Sequence, residues 1–185
     1  MYYGAIKKCD IANGEGIRVS LFVSGCRNRC KNCFQPETWA FDFGKPFDSE
    51  AEKIILDALE NPSVRGLTVL GGEPMEPENQ SGILPLLKKV REAYPEKTVW
   101  LYTGYTLEHL TEPIGANHTV CENTNEILSL VDILVDGRYV DELKNIGLRF
   151  RGSENQRIID MKKTRECKSI VIWDGCRLDK SFSKK

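Results

Sequence analysis

Short apolar runs alternate along this chain with stretches in which apolar residues return every three or four positions, a pattern that predicts strands separated by helices. Val19-Ser20-Leu21-Phe22-Val23 reads as a buried strand. Ser49-Glu50-Ala51-Glu52 has the form of a capping box, and Ala51, Ile54, Ile55, Ala58 and Leu59 follow at helical spacing up to Asn61-Pro62. A strand over 66–70 runs into the turn Gly71-Gly72-Glu73-Pro74. Ile83, Leu86, Leu87, Val90 and Tyr94 mark a second helix face, 98–102 a further strand with Thr103-Gly104-Tyr105 as its terminal loop, and 107–110 one helical turn. Residues 112–125 read as a loop or insertion. A helix over 126–131 and a strand over 133–135, ending at Asp136-Gly137, continue the alternation. Residues 148–151, 157–160 and 169–173 read as further short strands, and 181–185 as a disordered basic tail.

Such alternation implies an α/β fold, with parallel strands and helices packed on the sheet, either barrel-like or open and doubly wound. Ligands in both gather at the carboxyl ends of the strands. The loops after residues 23, 70, 102 and 135 all follow expected strands, so they should share one rim.

At 185 residues and 41% hydrophobic, the chain suits one domain with a substantial core. Its 26 Lys and Arg balance 27 Asp and Glu without long blocks of one sign, so no nucleic-acid or acidic-lipid surface is expected. The amino terminus lacks a basic region followed by an apolar stretch, and no run approaches the roughly 20 apolar residues of a membrane span. A soluble, cytoplasmic protein is the expectation.

Three of the seven cysteines, Cys26, Cys30 and Cys33, lie in one Cys-x-x-x-Cys-x-x-Cys loop, while Cys9, Cys121, Cys167 and Cys176 are scattered. That distribution suits metal or redox chemistry better than a disulfide framework, and the scattered four read as buried small hydrophobes. Structural zinc takes four ligands, so one reading is a zinc knuckle completed by Cys9, Cys121 or His118. No second paired-cysteine unit exists, however, and a loop with three ligands also suits a 4Fe-4S cube with one iron left for a non-protein ligand. The Gly71-Gly72 pair is expected to allow close backbone approach to a small molecule.

Together, the cysteine spacing and the Gly71-Gly72-Glu73-Pro74 turn one strand and one helix later resemble the radical S-adenosylmethionine superfamily. The resemblance extends through Asp10-Ile11-Ala12-Asn13-Gly14-Glu15-Gly16-Ile17-Arg18, Cys33-Phe34-Gln35-Pro36-Glu37-Thr38-Trp39, Met75-Glu76-Pro77-Glu78-Asn79, Tyr102-Thr103-Gly104-Tyr105, Val135-Asp136-Gly137-Arg138-Tyr139 and the stretch 149–157. Within the superfamily it points to glycyl-radical-enzyme activases, in particular the branch whose partner is the large subunit of the anaerobic ribonucleoside-triphosphate reductase. A formate-lyase-type activase and a non-catalytic metal-bearing module are the alternatives.

The resemblance implies a partial parallel β/α barrel, a single domain over 1–185 with 161–185 as a C-terminal extension. It implies one 4Fe-4S cluster on Cys26, Cys30 and Cys33, S-adenosyl-L-methionine on the remaining iron, and an electron donor of flavodoxin type. Gly71, Gly72 and Glu73 match the loop that meets the methionine amino group, Asn32 and Phe34 would lie against the cofactor, and Thr103 and Asp136 would line the rim. No catalytic side chain is singled out. Asn32 stands where many members carry an aromatic residue, and Glu15 where a proline is frequent. Arg18 reads as an edge-strand arginine, Arg151 as that or a partner or cofactor contact, His109 and His118 as surface residues, and Trp39, Trp100 and Trp173 as core.

Overall fold

The computed structural model describes residues 1–175. In chain order its elements are β1 (Tyr2–Asp10), β2 (Ile17–Val23), β3 (Lys45–Pro46), α1 (Ser49–Leu59), β4 (Val64–Gly71), α2 (Pro77–Ala93), β5 (Thr98–Tyr102), α3 (Leu107–Leu110), α4 (Thr124–Leu130), β6 (Ile133–Asp136), β7 (Arg157–Asp160) and α5 (Met161–Cys167). They form a mixed seven-stranded sheet in the order β3-β1-β2-β4-β5-β6-β7. The centre, β2-β4-β5-β6, is parallel, as the strand–helix alternation predicts, while β1, β3 and β7 are antiparallel additions.

Both faces of the central strands are covered. In β2 every residue after Ile17 is buried, which is why it reads as a continuous apolar run. On the helix side Val19, Leu21, Ile55, Leu59, Leu67, Leu87, Val90 and Ile127 share one core. The opposite face carries a smaller cluster of Trp100, Ile133, Val135 and Ile158, against which Tyr102, Phe150 and Trp173 pack. Among the described residues no helix is long and apolar enough to cross a membrane.

Several expectations are corrected. The cap of α1 is Asp48, whose carboxylate accepts from the Glu50 and Ala51 amides; Ser49 is the first helical residue. Residues 148–151 form no strand, because Phe150 has φ 58°, outside extended backbone. In 169–173 the expected strand shrinks to a single bridge, Ile159 to Ile172. Strand β1 was not expected, since only Asp10 of its nine residues is buried and its pattern carries no clean alternation. Cys9 and Cys167 are exposed and Cys121 half-buried, so none is a core hydrophobe; Cys176 and the 181–185 tail lie outside the described residues.

Arg18 is an interior residue with no exposed surface. It lies where β2 meets β4 and donates to Thr68 Oγ1 (2.5 Å), Leu67 O (2.7 Å), Thr98 O (2.9 Å) and Thr98 Oγ1 (3.0 Å), with its guanidinium 5.4 Å from the Trp100 ring. Burial lowers its pKa to about 10, which leaves it protonated at neutral pH. Its position between strands, rather than at an edge, is set by the strand order.

Candidate functional site

The site begins where β2 stops. Gly25, at φ 96°, turns the chain so that its amide donates to Thr38 O (2.8 Å) and the Cys26 amide to Trp39 O (3.2 Å). The loop then needs left-handed backbone at Arg29 (φ 45°) and Asn32 (φ 55°) to bring Cys30 and Cys33 round. All three cysteines line one cavity of about 540 Å³, together with Phe34, Gly71, Gly72, Glu73, Tyr102 and Thr103. Its far wall comes from residues 144–152. Cys9, Cys121 and His118 lie elsewhere: Cys121 Sγ is 3.2 Å from Gln80 Oε1, and His118 pairs with the Tyr105 hydroxyl at 3.0 Å. None of the three candidates for completing a zinc knuckle is in the cavity wall, and among the described residues no three His, Cys, Asp or Glu side chains converge on a single-ion site.

Gly71 and Gly72 line the cavity and also meet a second need. A Cβ on Gly71 would stand 2.6 Å from Val23 O, and one on Gly72 2.7 Å from Gly25 O. Their bareness lets the β4 turn press onto the cysteine loop, where the Gly72 amide donates to Val23 O (2.7 Å) and the Glu73 amide to Gly25 O (2.8 Å). The close approach is chain on chain.

Glu73, 1% exposed, is the hub of this packing. Its carboxylate accepts from Asn28 Nδ2 (2.8 Å) in the cysteine loop, the Gly104 amide (2.7 Å) after β5, and the Met75 amide (2.9 Å). Burial without a cationic partner pushes its pKa up to about 7. The Cys26 thiol rises to about 11, first through burial and then through the neighbouring Glu73 charge.

Beneath the loop, Asn79 donates to Ser24 O and Glu73 O, both at 2.9 Å, and buried Glu76 accepts from the Arg27 amide (2.9 Å) and guanidinium (2.5 Å). Asn28, Glu76 and Asn79 were not singled out from sequence, although Glu76 and Asn79 stand in the motif around Gly71-Gly72-Glu73-Pro74.

Asn32 points out of the cavity and donates to Asp141 Oδ2 at 2.7 Å. Phe34, 74% exposed, stands at the mouth beside Tyr139 (6.1 Å between ring centroids) and Lys144 (Nζ 5.4 Å from the ring). Thr103 is buried in the wall, with its hydroxyl accepting from the Tyr105 amide. Asp136 is also buried but faces away, held by Arg157 and the Leu107 amide, so Gly137 takes its place in the wall. Arg151 lines the cavity and donates to Gln156 O. His109 is half-buried and stacks on Tyr105, with centroids 5.2 Å apart.

The fold and this three-cysteine cavity define an α/β protein of the 4Fe-4S single cluster domain family, whose model matches residues 12–159. Curated relatives make the assignment narrower. The chain is 39% identical over 160 residues to the anaerobic ribonucleoside-triphosphate reductase-activating protein of Vibrio cholerae, covering 85% of this chain and 97% of the relative. It is 35% identical to the protein of that name from Escherichia coli K12, covering 84% and 96%, and 37% identical to that of phage T4, covering 85% and 93%. The chain therefore belongs to the family of anaerobic ribonucleoside-triphosphate reductase-activating proteins.

Proposed function

We propose that this protein is a radical S-adenosylmethionine enzyme that activates the anaerobic ribonucleoside-triphosphate reductase by placing a glycyl radical on its large subunit. The reading rests on the donor set: three cysteines of one loop share a cavity wall, and none of the expected fourth ligands is there. Cys26, Cys30 and Cys33 would hold three irons of a 4Fe-4S cluster and leave the fourth for S-adenosyl-L-methionine. When bound, the reduced cluster would supply one electron to the sulfonium, whose S–C5′ bond would break to methionine and a 5′-deoxyadenosyl radical able to take a hydrogen atom from a partner glycine.

The chain's own residues prepare that site. Cys26, protonated at neutral pH by its burial, must release its proton as iron binds, so loading is favoured by higher pH. Glu73 holds the cysteine loop to the β5 turn through Asn28 and Gly104, which keeps opposite sides of the cavity at a fixed separation. Gly71, Gly72, Thr103 and Phe34 form the cofactor wall, with Asn32 acting behind it through Asp141. The sheet is read as a partial barrel over a single domain, with 161–185 as its extension. A reducing cytoplasm and a flavodoxin-type donor suit the chemistry.

Anaerobic reconstitution tests this reading: about four irons per chain, reductant-dependent cleavage of S-adenosylmethionine, and a glycyl radical by electron paramagnetic resonance when the reductase is added. Stoichiometric zinc without cleavage refutes it. A radical that forms only on a formate-lyase-type enzyme reassigns the partner.

A further inference from the structure

The C-terminal segment lies beyond residues 12–159 of the family match, yet it returns to the face of the sheet that carries the Trp100 cluster. The Asp160 amide donates to Val171 O (2.9 Å) and the Trp173 amide to Ile158 O (2.8 Å), while the Val171 amide donates to Thr164 Oγ1 (3.0 Å) in α5. These bonds lay the segment along β7 and deliver one large side chain inward. Trp173 meets Trp100 edge-on, with centroids 5.2 Å apart at 79°, and Phe150 at 6.2 Å. Phe150 in turn meets Trp100 edge-on at 5.4 Å.

Phe150 is the informative member of this triad. At φ 58° it occupies backbone space that a bulky residue holds only when its surroundings over-determine it. It also belongs to the far wall of the cysteine cavity with Leu148, Arg151 and Gly152, whereas Trp100 and Trp173 line a second cavity of about 430 Å³. The three rings thus form a partition between two cavities. At its other end the same 138–152 segment reaches the cysteine loop through Arg138 to Asn28 O (2.5 Å), Asp141 from Asn32 (2.7 Å) and Glu142 with Lys31 (2.8 Å). Those contacts are exposed and contribute little holding strength. The apolar anchor is the aromatic end.

We infer that Trp173 is a positioning residue: by holding Phe150 in its left-handed conformation it sets the wall at 148–152 opposite the cysteines, which makes the C-terminal segment part of the binding site. The identity of the ligand that feels this wall, S-adenosylmethionine, rests on the function proposed above.

The test uses the full-length chain reconstituted with iron and sulfide, with W173A, W173F and F150L. Amide hydrogen exchange at 148–152 is measured before cofactor is added. W173A should speed that exchange about three- to tenfold, the loss of one aromatic pair. It should raise the KM for S-adenosylmethionine by a similar factor, with iron content and kcat for cleavage unchanged. W173F should restore most of both, F150L should raise exchange and KM as W173A does, and the double variant should be no worse than the poorer single.

If W173A leaves exchange at 148–152 unchanged while β7 and α5 fray, the segment merely covers an edge and the inference fails. Should W173A not fold, F150L reads the same coupling with the segment in place, and an unchanged KM and exchange there overturn it. A preparation that never cleaves the cofactor defeats the proposed function alone, because the exchange measurement still decides this point.

Discussion

Asn79 offers the sharpest test of how the cysteine loop is held. Its side-chain amide donates to Ser24 O at the end of β2 and to Glu73 O in the β4 turn, and the residue is 1% exposed. Replacing it with alanine removes these two hydrogen bonds and a longer one to Gly25 O (3.4 Å), although Glu73 O keeps the Glu76 amide (3.2 Å). At about 1–2 kcal/mol for each of the two shorter bonds, Asn79→Ala should cost about 2–4 kcal/mol. A chain of this length loses roughly 2–4 °C per kcal/mol, so its melting temperature should fall by roughly 4–16 °C. Asn79→Asp has the same shape but turns an oxygen toward two carbonyl oxygens. It should lose more at neutral pH and recover on acidification, when the protonated carboxyl can donate again. Circular dichroism melts of the iron-free protein measure the cost, and iron bound per chain after reconstitution reads the loop geometry. Melts of both variants within about 2 °C of the parent, below one lost hydrogen bond, would refute the reasoning.

Gly72→Ala puts a Cβ 2.7 Å from Gly25 O and 3.0 Å from Thr38 O, both backbone, so it should cost about 2 kcal/mol or more and weaken iron retention; a parent-like urea midpoint would contradict it. Arg18→Ala should cost about 3–5 kcal/mol by emptying space and stranding its acceptors. Arg18→Met, which refills the space and removes a charge that burial disfavours, should cost about half as much in the same titration. Alanine at Cys26, Cys30 or Cys33 should abolish cofactor cleavage, whereas Cys167→Ala should not; residual turnover in the first set, read by chromatography of the nucleoside product, would remove those residues from the cluster.

Sequence patterns exposed the cysteine loop and the β4 turn because both depend on signals a few residues long: an apolar run, a glycine pair, a fixed cysteine spacing. They did not distinguish Asn28 from Asn32. Which of the two faces Glu73 depends on the left-handed residues Arg29 and Asn32, and nothing local marks those positions. The pairing of β1 was equally hidden, since its partners run from Val23 back to Arg18 in opposite register and only Asp10 of its side chains is buried. Residues 148–151 show the reverse case. The alternation Leu148-Arg149-Phe150-Arg151 suggests a strand, but Phe150 packs against Trp100 and Trp173 with its backbone at φ 58°, outside the extended region.

Local patterns in the chain were enough for the alternating α/β class, the parallel central strands, the rim shared by the cysteine loop and the β4 turn, and the three-cysteine spacing itself. Each follows from the period of the apolar residues or from contacts within one turn of chain. Tertiary structure alone decided that Arg18 is interior, that the paired glycines serve chain-on-chain packing, that Glu73 ties three loops together, and that Trp173 reaches the cavity wall through Phe150. These depend on residues tens of positions apart, whose meeting is set by strand order and by burial of polar groups that must find partners, and neither leaves a local periodicity to read.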